Sequence, residues 1–155
     1  MLRHHLRTVP LPALALGLAL GTAAGVGGFT FVYARGYSYL LDDPAACVNC
    51  HVMRPQFEGW LKGSHRAVAT CNDCHTPHNP VGKYATKALN GWNHSLAFTT
   101  GRFPEPIRAT DLNRRIATVS CEKCHDELIH AMAQAGAGEP PSCVRCHGAV
   151  GHPDR

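Results

Sequence analysis

The chain carries eight cysteines, and none of them is isolated. They occur as Cys47-Val48-Asn49-Cys50-His51, Cys71-Asn72-Asp73-Cys74-His75, Cys121-Glu122-Lys123-Cys124-His125 and Cys143-Val144-Arg145-Cys146-His147. Every pair is spaced C-x-x-C, and every pair is followed at once by His. With 11 His among 155 residues, four such coincidences arise by chance about 2 times in 100,000. Two thiols at this spacing add to the two vinyl groups of one haem, and the next His then lies under the iron with a nitrogen available to it. Zinc pairs also use C-x-x-C but need no His after each one. Thioredoxin-type redox sites use a single pair on a βαβ unit, a pattern missing here. Disulfides are the ordinary expectation for eight Cys in an exported domain, but this spacing points instead to four covalent haem c groups.

Axial ligation comes next. His51, His75, His125 and His147 are the proximal candidates, and the opposite face of each iron needs a second ligand for low spin. Outside the N-terminal tail, five His are spare: His65, His78, His94, His130 and His152. His78 and His130 lie too near their motif His to cross to the far face of the same haem. His152 has that limit towards the haem of His147 but can reach another. His65, between the first two motifs, is free to cross over. Each also has a plain structural or solvated reading. Met53 closely follows His51. A Met sulfur is an accepted haem ligand, so Met53 either replaces His51 on the same side of the iron or simply packs.

These groups need elements to hold them. Leu11 to Ala34 is a run of 24 residues without a charge, about 36 Å long as a helix and sufficient for the hydrocarbon core of a bilayer. Arg3 and Arg7 precede it; Arg35, then Asp42 and Asp43, follow. The basic side predicts a cytoplasmic tail at 1–10, an anchor at 11–34 and an exported haem domain at 35–155. Tyr33, Tyr37 and Tyr39 suit the outer interfacial belt. The rival is a signal peptide cleaved near Thr22-Ala23-Ala24, although the apolar run continues well past that point. A buried core helix is a third reading, and the remaining chain is too small to enclose one.

Composition agrees. Only 7% of residues are aromatic and 17% charged, so four haems supply most of the core surface. The net charge of +4 offsets haem propionates, and without a basic stripe interleaved with aromatics it does not indicate nucleic acid. The expected fold is mainly α and irregular, with little or no sheet. Helices are expected at 55–62, 83–98, 111–119 and 123–135, with a loop at 136–141.

The order of a short basic N-terminus, one anchor, a first motif written C-x-x-C-H-x-M and the stretch Cys71-Asn72-Asp73-Cys74-His75-Thr76-Pro77-His78-Asn79 resembles the NapC/NirT family of membrane tetrahaem quinol dehydrogenases. Within that family it is most similar to the small subunits of cytochrome c nitrite reductases. The resemblance runs from Leu11 to His152. It implies four haem c groups, menaquinol as substrate and a periplasmic pentahaem nitrite reductase catalytic subunit as partner in a hetero-oligomer, at the bacterial inner membrane in anaerobic respiration.

It also implies roles for individual residues. Met53 matches the family Met that ligates the first haem in place of His51. His65 and His152 match distal ligands of the third and second haems, opposite His125 and His75. The haem on His147 is the exit haem, and a partner-subunit Lys can complete its coordination. Lys87 matches a Lys beside the quinol site. His94 stands where a family member carries Asp next to the first haem, which leaves it as a weak sixth ligand, a proton acceptor or both. His78 falls in the family stretch without a ligand role, and His130 matches nothing.

The residues make such a mechanism plausible. The first motif starts 13 residues after the anchor, which keeps its haem close to a lipid-soluble quinol. Thioether ligation raises the haem potential and favours electron uptake. Lys87 and His94, seven apart, share a face if 83–98 is helical. Lys87 would orient or polarise the quinol oxygen while His94 takes a proton. Two alternatives stand beside this reading. The same chemistry could feed periplasmic nitrate reductase or another reductase, or the chain could be a soluble tetrahaem carrier with four bis-His haems.

Overall fold

A computed structural model describes residues 9–135 and 142–152. The expected loop at 136–141 and most of the expected tail lie outside the described residues. The chain divides into two units, Met1–Tyr37 and Ser38–Arg155.

The first unit is one helix, α1 (Leu11–Tyr33), a residue shorter than the expected anchor. Pro12 sits in its first turn, where no intrahelical donor is lost. All of α1 is exposed. Its 23 residues rise about 35 Å, and its five glycines are tolerable because a helix in lipid must satisfy its own backbone. The helix is long and apolar enough to cross a membrane.

The second unit is built from α2 (Ala45–Val48), α3 (Arg54–Lys62), α4 (Cys71–His75), α5 (Pro80–Thr100), α6 (Asp111–Gln134) and α7 (Cys143–Cys146), with short 3-10 turns at His51–Met53 and Ser64–Ala67. No strand occurs among the described residues. Local chemistry sets the helix starts. Asn79 caps α5 by accepting from the Gly82 N–H at 2.6 Å, and Pro80 opens its first turn. Thr110 caps α6. Thr70 and Asp73 form a capping box on α4.

Two expectations change. Helix α5 is longer at both ends than 83–98, because the Asn79 cap lies upstream of where the apolar pattern begins. The separate helices expected at 111–119 and 123–135 are one run, α6, kinked at His125 (φ −111°, ψ 23°). The third C-x-x-C motif contains neither Gly nor Pro and is itself helical, so the helix continues through it and bends only at the motif His. The short helices α2, α4 and α7, each built on a motif, were not expected.

Packing in this unit is unusual. Among the described residues no hydrophobic side chain is buried; the buried ones are Thr76, Thr86, Lys87 and Ser120. A polypeptide of this size ordinarily hides an apolar core. Polar ties between elements are visible instead. Asn90 on α5 donates to Asn113 on α6 at 3.1 Å. Thr118 on α6 and Ser142 before α7 share a 2.7 Å hydroxyl contact. The Trp60 indole donates to the Ala69 carbonyl at 3.0 Å. At Gly63 a Cβ would stand 3.2 Å from the Gly151 carbonyl, so glycine there lets the backbone before His152 approach the turn that carries His65.

Candidate functional site

In the second, third and fourth motifs the two cysteines lie on one turn of α4, α6 and α7, whereas in the first Cys47 is on α2 and Cys50 lies just beyond its end. The first cysteine of each pair is half-buried and the second exposed, and none of the eight is in a disulfide. Burial also raises the Cys74 thiol above its ordinary pKa. The motifs meet in twos. Cys47 and Cys71 lie close together, and the neighbouring Cys71 thiol, helped by Lys87, draws the Cys47 thiol down to about 7. Cys121 and Cys143 make the corresponding contact between the third and fourth motifs. Among the described residues no three His, Cys, Asp or Glu side chains converge, which a zinc site would require.

Imidazoles do converge, in pairs. The His75 and His152 rings lie with centroids 6.0 Å apart and planes 5° from parallel. His65 and His125 lie 6.1 Å apart at 74°. Two imidazoles on one metal, with metal–nitrogen bonds of about 2.0 Å and about 1.15 Å from nitrogen to ring centre, put their centroids about 6.3 Å apart. Both pairs therefore have the spacing of axial ligands on a shared iron. The polar details agree. His152 Nδ1 is buried without a partner. His65 Nδ1 is held by Ser64 Oγ at 3.2 Å, so Nε2 is the nitrogen left for a metal. His75 keeps accessible surface, yet desolvation first, and then His152 and His94, push its pKa down to about 4. It is thus neutral, as a ligand must be. The donor set and the missing polypeptide core both fit haem.

The other candidates fall elsewhere. His51 is exposed and half-buried Met53 ends the same 3-10 turn. His147 is exposed at the end of α7. Among the described residues neither His51 nor His147 faces a second imidazole. Nδ1 of His78 accepts from Lys123 at 3.2 Å. His130 pairs with Asp126 on the surface at 3.0 Å, and hydrogen bonding to Asp126 raises its pKa. Both have structural employment away from the imidazole pairs.

Lys87 and His94 do share a face of α5. His94 keeps exposed surface, desolvation lowers its pKa, and it lies within electrostatic reach of His75 in the second motif. Lys87 is only 4% exposed. Its ammonium donates to the carbonyls of Leu41 at 2.7 Å and Tyr39 at 3.0 Å, sits 5.9 Å from the Tyr39 ring centre and lies 3.8 Å from Asp42. Desolvation lowers its pKa, while Asp42 and Cys47 oppose the shift. Asp42 also pairs with Lys83 at 2.6 Å and accepts from Asn72 Nδ2 at 2.6 Å. The Tyr39 ring approaches Gly91, where a Cβ would be 3.3 Å away. Sequence reasoning missed this network of Asp42, Asn72, Lys83 and the 39–41 backbone around Lys87. The available signal was the i,i+4 spacing of Lys83 and Lys87 on one face, opposite the acidic pair that follows the anchor.

Known proteins place these features. A model of the NapC/NirT cytochrome c family, N-terminal region, matches residues 11–155. The chain is 37% identical over 156 residues to the cytochrome c-type protein NrfH of Wolinella succinogenes, covering 90% of this chain and 81% of that protein. It is 32% identical over 138 residues to the cytochrome c nitrite reductase subunit NrfH of Nitratidesulfovibrio vulgaris, covering 88% and 84%. Its fold is similar to a chain in the crystal structure of the cytochrome c nitrite reductase NrfHA complex bound to the HQNO inhibitor, with a TM-score of 0.61, 26% identity, and coverage of 89% of this chain and 99% of that one. With its C-x-x-C-H motifs for covalent haem c and, among the described residues, one apolar span as a membrane anchor, the chain belongs to the NapC/NirT cytochrome c family.

Proposed function

We propose that this chain is a tetrahaem quinol dehydrogenase of the bacterial inner membrane, taking electrons from menaquinol and delivering them to a periplasmic pentahaem nitrite reductase with which it assembles. The tail at 1–10 lies in the cytoplasm by its Arg content and the haem domain in the periplasm. The observation that carries this reading is the uneven imidazole pairing. His75–His152 and His65–His125 pair, whereas the first and fourth motifs face no second imidazole among the described residues. A soluble carrier with four bis-His haems calls for four such pairs. The similarity to a cytochrome c nitrite reductase subunit and to a chain of the NrfHA complex supports the partner.

Each C-x-x-C pair would hold one haem. His75 with His152, and His125 with His65, would close two irons; Met53 would ligate the first and His147 the fourth. When bound, haem supplies one-electron redox chemistry, at a potential raised by a thioether ligand. The protein must then manage two protons per quinol. Lys87 spends two of its N–H bonds on the Leu41 and Tyr39 carbonyls, so one remains to donate to a quinol oxygen. Its desolvated positive charge stabilises negative charge on that oxygen as the proton leaves. His94, kept neutral by desolvation, has a lone pair to receive a proton and exposed surface from which to pass it to water.

The test is reconstitution of the full-length, haem-loaded chain in proteoliposomes with a menaquinol and the pentahaem reductase. Nitrite consumption is expected to require quinol, this chain and the reductase together. The reading fails if the chain exchanges electrons only with soluble donors, or if alkaline carbonate releases it from membranes.

A further inference from the structure

Helix α5 is amphipathic in the opposite sense to a helix packed in water. Its polar side faces the rest of the unit: Lys83 pairs with Asp42, Lys87 bonds the 39–41 backbone, and Asn90 meets Asn113. Its other side is apolar and open. Val81 is 82% exposed, Tyr84 51%, Leu89 45%, Trp92 69% and Leu96 51%. At about 100° per residue these five fall on one broad arc, and Leu89 and Leu96 lie almost opposite Lys87. No charged side chain interrupts the arc.

We propose that this outer face of α5 lies in the membrane interface, in contact with lipid. Two observations select lipid over another occupant. Lys87 is bonded to Tyr39 and Leu41, six and eight residues beyond Tyr33, where α1 ends. A chain of eight residues reaches at most about 28 Å, so α5 is leashed to the end of the span. The face also has the chemistry of an interfacial helix, with aliphatic side chains beside the amphipathic rings of Trp92 and Tyr84. A helix lying there would separate lipid from Lys87 and the first motif, and would give a lipid-dissolved quinol a short lateral approach. The proposal rests on the membrane-anchored reading above but not on the identity of the reductase.

Because every native cysteine is taken by haem, an added one can be labelled selectively. Trp92→Cys and Leu96→Cys, each verified to carry four haems, are labelled with a nitroxide in the full chain and placed in phosphatidylethanolamine/phosphatidylglycerol vesicles. Lys62→Cys on α3 serves as the reference. Relaxation by oxygen is expected to exceed relaxation by a water-soluble nickel chelate several-fold at 92 and 96, with the reverse at 62. Nickel accessibility at 92 and 96 equal to that at 62 overturns the proposal, because the face then meets water. Shielding from both reagents also overturns it, because protein or cofactor then covers the face. Release of the labelled chain by alkaline carbonate overturns the anchored reading together with this one, whereas retention with a water-like label overturns this one alone.

Discussion

Replacing His152 with alanine removes one ring from the pair held at 6.0 Å, and its consequences divide into two parts with different remedies. The first is local. If His152 and His75 share an iron, that iron loses its sixth ligand, and about one quarter of the total haem passes from low to high spin. The second is global. A bond from His152 to a haem on Cys71 and Cys74 would close a loop of about 80 residues, and by the chain-entropy relation for cross-links such a closure is worth at most about 4.5 kcal/mol. A reversible coordinate bond delivers less, so a loss of 2–4 kcal/mol is expected. Electron paramagnetic resonance reads the spin states and thermal unfolding reads the stability. Free imidazole should refill the coordination site and restore the low-spin signal, but it should leave the stability low, because an untethered ligand closes no loop. Unchanged low-spin content in His152→Ala with four haems attached would refute the pairing. Full recovery of stability with free imidazole would refute the loop argument. His65→Ala should behave in the same way for His125, and the double variant should convert about half of the iron.

Other perturbations address the remaining chemistry. Lys87→Met should lower menaquinol oxidation at least about tenfold with all haems attached, and steady-state rates in vesicles that match the parent would exclude a role for this ammonium. Asp42→Asn removes the charge that supports protonation of Lys87 against desolvation, so Lys87 gives up its proton at lower pH. The alkaline limb of quinol oxidation should move to lower pH by less than about one unit, because Asp42 is 58% exposed. Asp42→Glu should restore it, and an unmoved limb in Asp42→Asn would count against the network. Asp73 accepts from both the backbone N–H and the hydroxyl of Thr70 at 2.8 Å, and the backbone bond is the main reason its pKa is lowered. Asp73→Ala should cost about 1 kcal/mol in thermal unfolding. The parent's advantage is present above the ordinary carboxylate pKa and disappears as pH falls through the lowered folded value; a difference independent of acid pH would contradict the assignment.

Much of this protein can be read from residue spacing because its chemistry is local. A C-x-x-C-H motif brings two thiols and an imidazole together within five residues, so the expectation of haem at Cys47–Cys50, Cys71–Cys74, Cys121–Cys124 and Cys143–Cys146 needs no knowledge of the fold. The apolar run that becomes α1 is likewise a contiguous property of the chain, as is the start of α5 once Asn79-Pro80 is read as a cap. What depends on long-range approach could not be derived in this way. Spacing left His65 and His152 as candidates among five spare His; the resemblance named their haems, and only the fold brings their rings to His125 and His75. The Gly63–Gly151 approach that accompanies these pairings involves residues far apart in sequence. The burial of Lys87 against the 39–41 backbone and the outward turn of the apolar side of α5 are also tertiary outcomes. A buried ammonium or amide must be hydrogen-bonded, so the polar side of α5 is turned to its partners, Lys87 to the 39–41 backbone and Asn90 to Asn113 on α6.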